Sequence, residues 1–318
     1  MSVTGEELLA YRLPPVEVTV TDRDAILYAL SVGYGARPLD ARFLRHTHED
    51  DLVLAPSMAN LIAHPGPWLA SAGINWSGVV HAEQRLVLHG PLRAGEPLVA
   101  TTRCTGVVDR GEGKPAFVTF ERVLTRVEDG ARLATVVQTD ACRFDGGCGS
   151  AGQGPQPLAG VPERAPDLVR AVRVAGDAAL LFRLNGDLNP LHVLPRVATE
   201  AGFERPILHG LASLGLAATW ILEALTDGDA GADESELPEV AELSARFRAP
   251  VFPGETLALE LWFDDDESPQ EGRGRSVHFR LRAPERDALA LDAGIVVVRP
   301  SQPRPPLQHT SNRKGESA

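Results

Sequence analysis

The segment FRLNGDLNPLHVLPRVATEAGFERPILHGL, Phe182 to Leu211, holds the residues best suited to chemistry. Asp187 and His192 lie five apart across a turn, so both can face one cavity. A carboxylate and an imidazole aimed at one space can share a water molecule and take its proton. Further on, His209-Gly210 opens a long apolar run after Pro206. The first N–H groups of a helix lack internal partners and carry the positive end of its dipole. Gly210 allows a ligand close to its N–H, which suits an oxygen that gains negative charge. The competing reading is local structure. Asn189-Pro190 is a good helix start, with Asn as cap and Pro in the first turn. Gly186 permits a tight turn before it.

The elements that must position these residues fall into two halves. In the first, VEVTVTD is followed by the apolar helical run RDAILYALSVG. Four strand candidates come next: RLVLHG, EPLVATTRCTGVV, AFVTFERVLTR and RLATVVQTDACRF. They are rich in β-branched residues and alternation. The stretch GGCGSAGQGPQPLAGVPERAP, residues 146–166, reads as a linker. The second half repeats the plan: LVRAVRV, the chemical segment, the helix ILHGLASLGLAATWILEAL, and four closing strands. PLRAGEPLVA and PVFPGETLAL echo each other, so duplication is the economical reading. One long helix per half on a curved antiparallel sheet predicts an α+β double hot dog. The expected organisation is a non-catalytic hot dog over 1–145, a linker over 146–166, a catalytic hot dog over 167–300 and a disordered tail over 301–318. The first half has RDAILYALSVGYG and PSMANLIA at the matching places, without the acid–amide–imidazole set. A purely structural motif should be needed in both copies.

Composition narrows the class. The chain has 318 residues, 43% hydrophobic, with 31 basic and 43 acidic residues and a net charge of −12. That charge argues against a nucleic-acid footprint or a polybasic membrane surface. Cys104, Cys142 and Cys148 form no CxxC pair, so neither a disulfide framework nor a zinc site is expected, and a cytoplasmic location is. No targeting segment or membrane span is expected.

The core Gly-Asp-x-Asn-Pro-x-His within FRLNGDLNPLH resembles the hydratase-2 signature of MaoC-like (R)-specific enoyl-CoA hydratases. GFERPILHGL resembles that family's lead into the central helix. YALSVG, HAEQRLVLHGPLRAGEPL and CRFDGGCGS resemble the non-catalytic N-terminal hot dog of the two-domain type found in peroxisomal multifunctional enzymes. The resemblance covers most of residues 15 to 300. It departs at Asn185, where a Ser is common, and at FLRHTHEDDLVLAPS, where the two-domain enzymes usually have an aromatic–Glu pair and a Leu-Pro.

The resemblance implies hydration of a trans-2-enoyl-CoA to the (R)-3-hydroxyacyl-CoA, or the reverse. Asp187 and His192 would hold the water, Asn189 the water or the Asp geometry, and Gly210 the thioester oxygen. His209 and Pro190 are expected on the substrate side. Arg246 and Arg248 share one face of a strand candidate and are expected either at the CoA phosphates or in solvent. No cofactor beyond the substrate's own CoA, no metal and no nucleic-acid or membrane partner is expected, and a homodimer is. His46 and His48 in LRHTHEDD read as solvated surface, and His81 and His89 as sheet histidines. The alternatives are a dehydratase acting on a CoA or carrier-protein thioester, a thioesterase, and an acyl-CoA-binding protein without turnover.

Overall fold

The structure is a computed structural model that describes residues 3–37, 40–48, 52–227, 237–264 and 274–300. The tail over 301–318 lies outside the described residues. The first half supplies β1 (Val16–Thr19), β2 (Val79–Leu88), β3 (Pro97–Asp109), β4 (Ala116–Arg126), β5 (Arg132–Cys142) and the short β6 (Ala151–Gly152). The second supplies β7 (Leu168–Arg173), β8 (Glu239–Phe247), β9 (Thr256–Phe263), β10 (Arg275–Ala283) and β11 (Ala288–Arg299). They form one antiparallel sheet in the order β1-β3-β4-β5-β2-β8-β11-β10-β9-β7, with β6 beside β3. The two expected sheets are therefore merged, β2 pairing with β8 from Glu83↔Arg246 to Val87↔Glu242.

Each half visits its strands in the same order, and the echoed Gly-Glu turns do the same work. Gly95, at φ +77°, donates its N–H to Val20 O just beyond β1. Gly254, at φ +88°, donates to Val174 O just beyond β7. Both glycines need the left-handed region.

The helices are α1 (Gly5–Ala10), α2 (Asp22–Ser31), α3 (Ala41–Leu44), α4 (Trp68–Ser71), α5 (Ala178–Phe182), α6 (Pro195–Glu200) and α7 (Gly210–Asp227). The Ala- and Leu-rich sequence LASLGLAATWIL of α7 favours helix, and every residue from Ala212 to Glu223 is buried. At Gly215 a Cβ would stand 2.6 Å from Val32 Cγ1, so the glycine lets α7 cross the end of α2. Thr219 Oγ1 donates to Val32 O at 2.7 Å across the same contact.

The first half does not repeat α7, contrary to the expectation of a long helix in each half. Its counterpart is the short 3₁₀ helix Pro56–Asn60. The chain then turns through Ala63 at φ +49° into His64-Pro65-Gly66-Pro67. Proline bars the helical conformation to the residue before it and lacks the N–H that a helix needs. Arg122 Nη2 donates to Asn60 O at 2.6 Å and to Ala59 O at 3.4 Å, capping the truncated end.

Much of the expected linker is sewn into the halves. Gly5 N–H binds Cys148 O, the Asp109 carboxylate accepts from the N–H of Gly147 and Gly149, and Ala151-Gly152 pairs with β3. At the other end Trp262 Nε1 donates to Arg164 O at 2.8 Å. Glycine here allows close strand approach rather than looseness: a Cβ at Gly106 would stand 2.6 Å from Gln153 backbone.

Candidate functional site

α5 delivers the chain into a turn at Gly186, which sits at φ +109°. Asn185 Nδ2 holds this turn from inside, donating to Phe182 O at 2.9 Å and to Ser31 Oγ at 3.1 Å. The residue that departs from the usual Ser thus ties the segment to α2 of the first half. The Asn189 N–H donates to Asp187 Oδ1 at 3.2 Å, and the Leu191 N–H to Asn189 Oδ1 at 3.0 Å. Asn189 therefore acts on Asp187 through its backbone, while its side-chain oxygen caps the 3₁₀ helix Pro190–His192. Pro190, exposed, takes the first position of that helix.

His192 is 9% exposed. Its Nδ1 lies 2.8 Å from Ile207 O, and a carbonyl can only accept, so Nδ1 carries the proton. Nε2 is left as a lone pair. Burial lowers the pKa of His192 and keeps the ring neutral, against the raising effects of the Ile207 carbonyl and the Asp187 charge.

His209 is 2% exposed and lies between two rings, 3.6 Å from His192 and 4.9 Å from Phe182, centroid to centroid. Its Nε2 is 3.2 Å from the backbone oxygen of Asp187. Burial, and then the neighbouring His192, lower its pKa to about 4. The ring, stacked on His192 and tilted against Phe182, is placed to position Asp187 and His192.

Asp187, His192 and His209 bring potential ligand atoms within 4.8 Å of one another. His192 Nδ1 and His209 Nε2 each face a backbone carbonyl, which leaves one lone pair per ring.

Gly210 is the first residue of α7, and its N–H has no partner within the helix. A Cβ there would stand 3.2 Å from Phe247 Cε1 and 3.3 Å from Cδ1. Phe247 in turn lies 4.4 Å from the His81 ring. Phe247 carries no acid–base group, so sequence reasoning gave it no role. The site's wall in fact passes from Gly210 to Phe247 to His81. Asp187's charge also reaches His64, another first-half residue that the sequence left unmarked.

Alternation along β8 turns Arg246 away from the Phe247 side, and Arg248 follows just after the strand. Arg246 Nε and Nη2 both donate to Glu83 Oε1, at 2.8 and 2.6 Å, across the β2–β8 join. This ion pair ties the two halves together and takes Arg246 out of free solvent. Arg248 is exposed. His46 is not the solvated residue expected: it is 9% exposed, packed edge-on to Tyr34, with Nδ1 2.8 Å from Val53 O. His48 is exposed, and the acidic residues after it lie outside the described residues.

Comparison with known proteins bears on this arrangement. Residues 18–142 match the family model described as MFE-2 hydratase 2 N-terminal domain, and residues 157–279 match the MaoC like domain. An enoyl-CoA hydratase of Mycobacterium tuberculosis is 36% identical over 304 residues, covering 94% of this chain and 99% of that protein. The peroxisomal enoyl-CoA hydratase 2 of Arabidopsis thaliana is 33% identical, covering 92% of this chain and 94% of that protein. Among solved structures, the full-length peroxisomal multifunctional enzyme type 2 of Drosophila melanogaster superposes with a TM-score of 0.71 at 26% identity, over 90% of this chain and 48% of that one. With both halves matched in order and a relative this similar along almost its whole length, the chain belongs to the two-domain, MaoC-like enoyl-CoA hydratase 2 family.

Proposed function

We propose that this protein is a lyase that hydrates trans-2-enoyl-CoA to (R)-3-hydroxyacyl-CoA, or dehydrates in the other direction. The observation that carries the reading is His192 fixed by the Ile207 carbonyl with Nε2 free, stacked on His209 and within 4.8 Å of the Asp187 ligand atom. A water held by Asp187 and His192 loses a proton to the pair as its oxygen bonds to C3. The C2=C3 electrons move toward the thioester, whose oxygen takes up negative charge at the Gly210 N–H. A proton from the pair then goes to C2, so the pair ends the turnover as it began. Base and acid belong to the pair, since two such close groups titrate together. No cofactor beyond the substrate's CoA is required.

The acyl tail runs past Phe247 toward the first half, where the shortened helix leaves the sheet without its rod. A homodimer in the cytoplasm completes the reading. What supports a dimer is apolar surface beside the motif, where Leu180, Leu184, Leu188 and Leu194 are 49–59% exposed. Among the described residues no helix is long and apolar enough to cross a membrane.

The test follows loss of the conjugated enoyl-thioester absorbance, with chiral analysis of the product. An (R)-3-hydroxyacyl-CoA product is expected. Release of free CoA thiol would point to a thioesterase, and tight binding with no turnover to an acyl-CoA-binding protein.

A further inference from the structure

The inner face of the first half carries a polar seam that the hydration chemistry does not use. It begins at Phe247, against which His81 packs. His81 faces Asp140 across β2 and β5, and Gln84 faces Gln138. Gln138 Nε2 donates to Asp140 Oδ1 at 2.9 Å, and Gln138 Oε1 lies 3.2 Å from His64 Nε2. Gln84 Nε2 donates to Asn60 Oδ1 at 2.8 Å, and Arg122 reaches the Asn60 carbonyl. Gln84 and Arg122 are 0% and 1% exposed. The seam divides two apolar clusters, one containing Leu86, Leu124 and Val136, the other Trp68, Val118 and Phe120.

Buried polar atoms are normally paired. Here Arg122 Nε and Nη1, Gln84 Oε1 and His81 Nε2 are enclosed and have no hydrogen-bond partner. His81 and Gln84 are near enough to interact, yet neither Nε2 nor Oε1 closes a bond of normal geometry. Arg122 is the sharper case. Burial alone lowers its pKa, to about 10, and no carboxylate among the described residues offsets it. Capping the truncated helix uses Nη2 only. A guanidinium has five N–H donors, so a purely structural cap does not account for the rest. Burial also holds His64 at about 4 and His81 at about 3, so neither adds positive charge at neutral pH.

We infer that the seam seats an oxygen function on the acyl tail, so the preferred substrate is an enoyl-CoA whose chain bears a hydroxyl, carbonyl or carboxyl oxygen beyond the reacting carbons. This rests on the hydratase reading above. The seam adjoins the site: a Cβ at Gly210 would stand 3.2 Å from Phe247, Phe247 lies 4.4 Å from the His81 ring, and the Asp187 charge reaches His64. An acceptor oxygen would meet the Arg122 N–H groups and the His81 nitrogen. A plain alkyl tail would enter the same space and leave them unmet, and sites built to hydrogen-bond an oxygen discriminate strongly against analogues that lack it.

The experiment is calorimetry on the full chain with saturated acyl-CoAs, which cannot be hydrated. Two series of matched chain lengths are compared, one ending in methyl, the other in hydroxyl, keto or carboxyl. Tighter binding of an oxygenated tail by roughly 10-fold or more is expected at one length. In Arg122→Met and in His81→Phe that ratio falls toward one. Melting temperatures establish that each variant is folded, and His81→Phe, which keeps the ring against Phe247, carries the test if Arg122→Met is not. Equal affinities at every length, or a ratio unchanged in a folded variant, overturn the inference. A chain that hydrates plain enoyl-CoA but shows no ratio overturns the seam alone. A chain that neither binds the series nor hydrates any enoyl-CoA overturns the hydratase reading, and the seam with it.

Discussion

Lowering the pH from about 7 to about 5 should destabilise the protein by about 3–4 kcal/mol, through the imidazoles of the cleft and the seam. His64, His81 and His209 titrate near 4, 3 and 4 in the folded chain, against an ordinary 6.5. Below 6.5 the unfolded chain binds protons that the folded chain refuses. Their stabilisation is therefore complete above the ordinary value and is lost as the pH falls toward the folded values. Integrated over this descent, each imidazole costs about 2 kcal/mol. Asp140 works the other way. Burial raises it to about 7, so the folded chain takes up its proton first and regains about 2 kcal/mol. Carboxylates held low by arginine, such as Asp40 beside Arg42, add their own loss only nearer pH 4. Urea unfolding followed by tryptophan fluorescence at several pH values measures the sum, with a constant m-value as the control. Asp140→Asn removes the compensation, so its loss should exceed that of the parent by about 2 kcal/mol. A urea midpoint that does not move over this range, or an equal loss in Asp140→Asn, would refute the reasoning.

Asp187→Asn and His192→Ala should each lower the hydration rate by ~10²–10⁴ with the melting temperature little changed. Near-parental rates in both would remove the pair from the chemistry. Gly210→Ala presses on Phe247 and Gly210→Val presses harder, so kcat should fall in that order while affinity for a saturated acyl-CoA falls less; lost stability with intact kcat would make Gly210 a packing residue only. His209→Phe keeps the stack but deletes the bond to the Asp187 carbonyl, a net loss of about 1 kcal/mol. It should reduce kcat more than it raises KM and shift the acid limb of the pH–rate profile, which a mere packing role would leave in place. Calorimetry should count one acyl-CoA per chain, and a value near two would mean that the first half holds a site of its own.

The chemical segment was legible because acid, amide and imidazole types at fixed spacing have few other uses together. That Asp187 and His192 face one space could be read from it, and the structure brings their ligand atoms within 4.8 Å. The repeated plan of the two halves was legible too, since the Gly-Glu turns recur at matching places. The wall of the site was not. Phe247 and His81 meet only because β8 pairs beside β2, and pairing between distant strands leaves no mark on local periodicity. The setting of His209 was not legible either, because nothing in the sequence shows which residues its ring lies between. Arg246 looked free because its partner, Glu83, is 163 positions away. The missing helix of the first half was signalled by His64-Pro65-Gly66-Pro67, whose prolines outweigh the apolar run before them.

The β2–β8 join bears on how the two halves came to differ. These strands stand in equivalent places, so each half uses as its partner the strand that an unfused copy would offer to its twin. If the chain were severed between residues 154 and 162, each fragment would expose a long bare edge, and bare edges recruit other chains. The second half alone could satisfy β8 by pairing it with β8 of another second half, a self-complementary contact around a two-fold axis. That assembly would carry two clefts, each facing a neighbour with a full α7 and no seam. The covalent tether forbids the exchange and guarantees every catalytic half an unlike companion. That companion is the half with the short 3₁₀ helix and without the acid–base set. The pairing of unlike halves is thus a property of the tether as much as of either sheet.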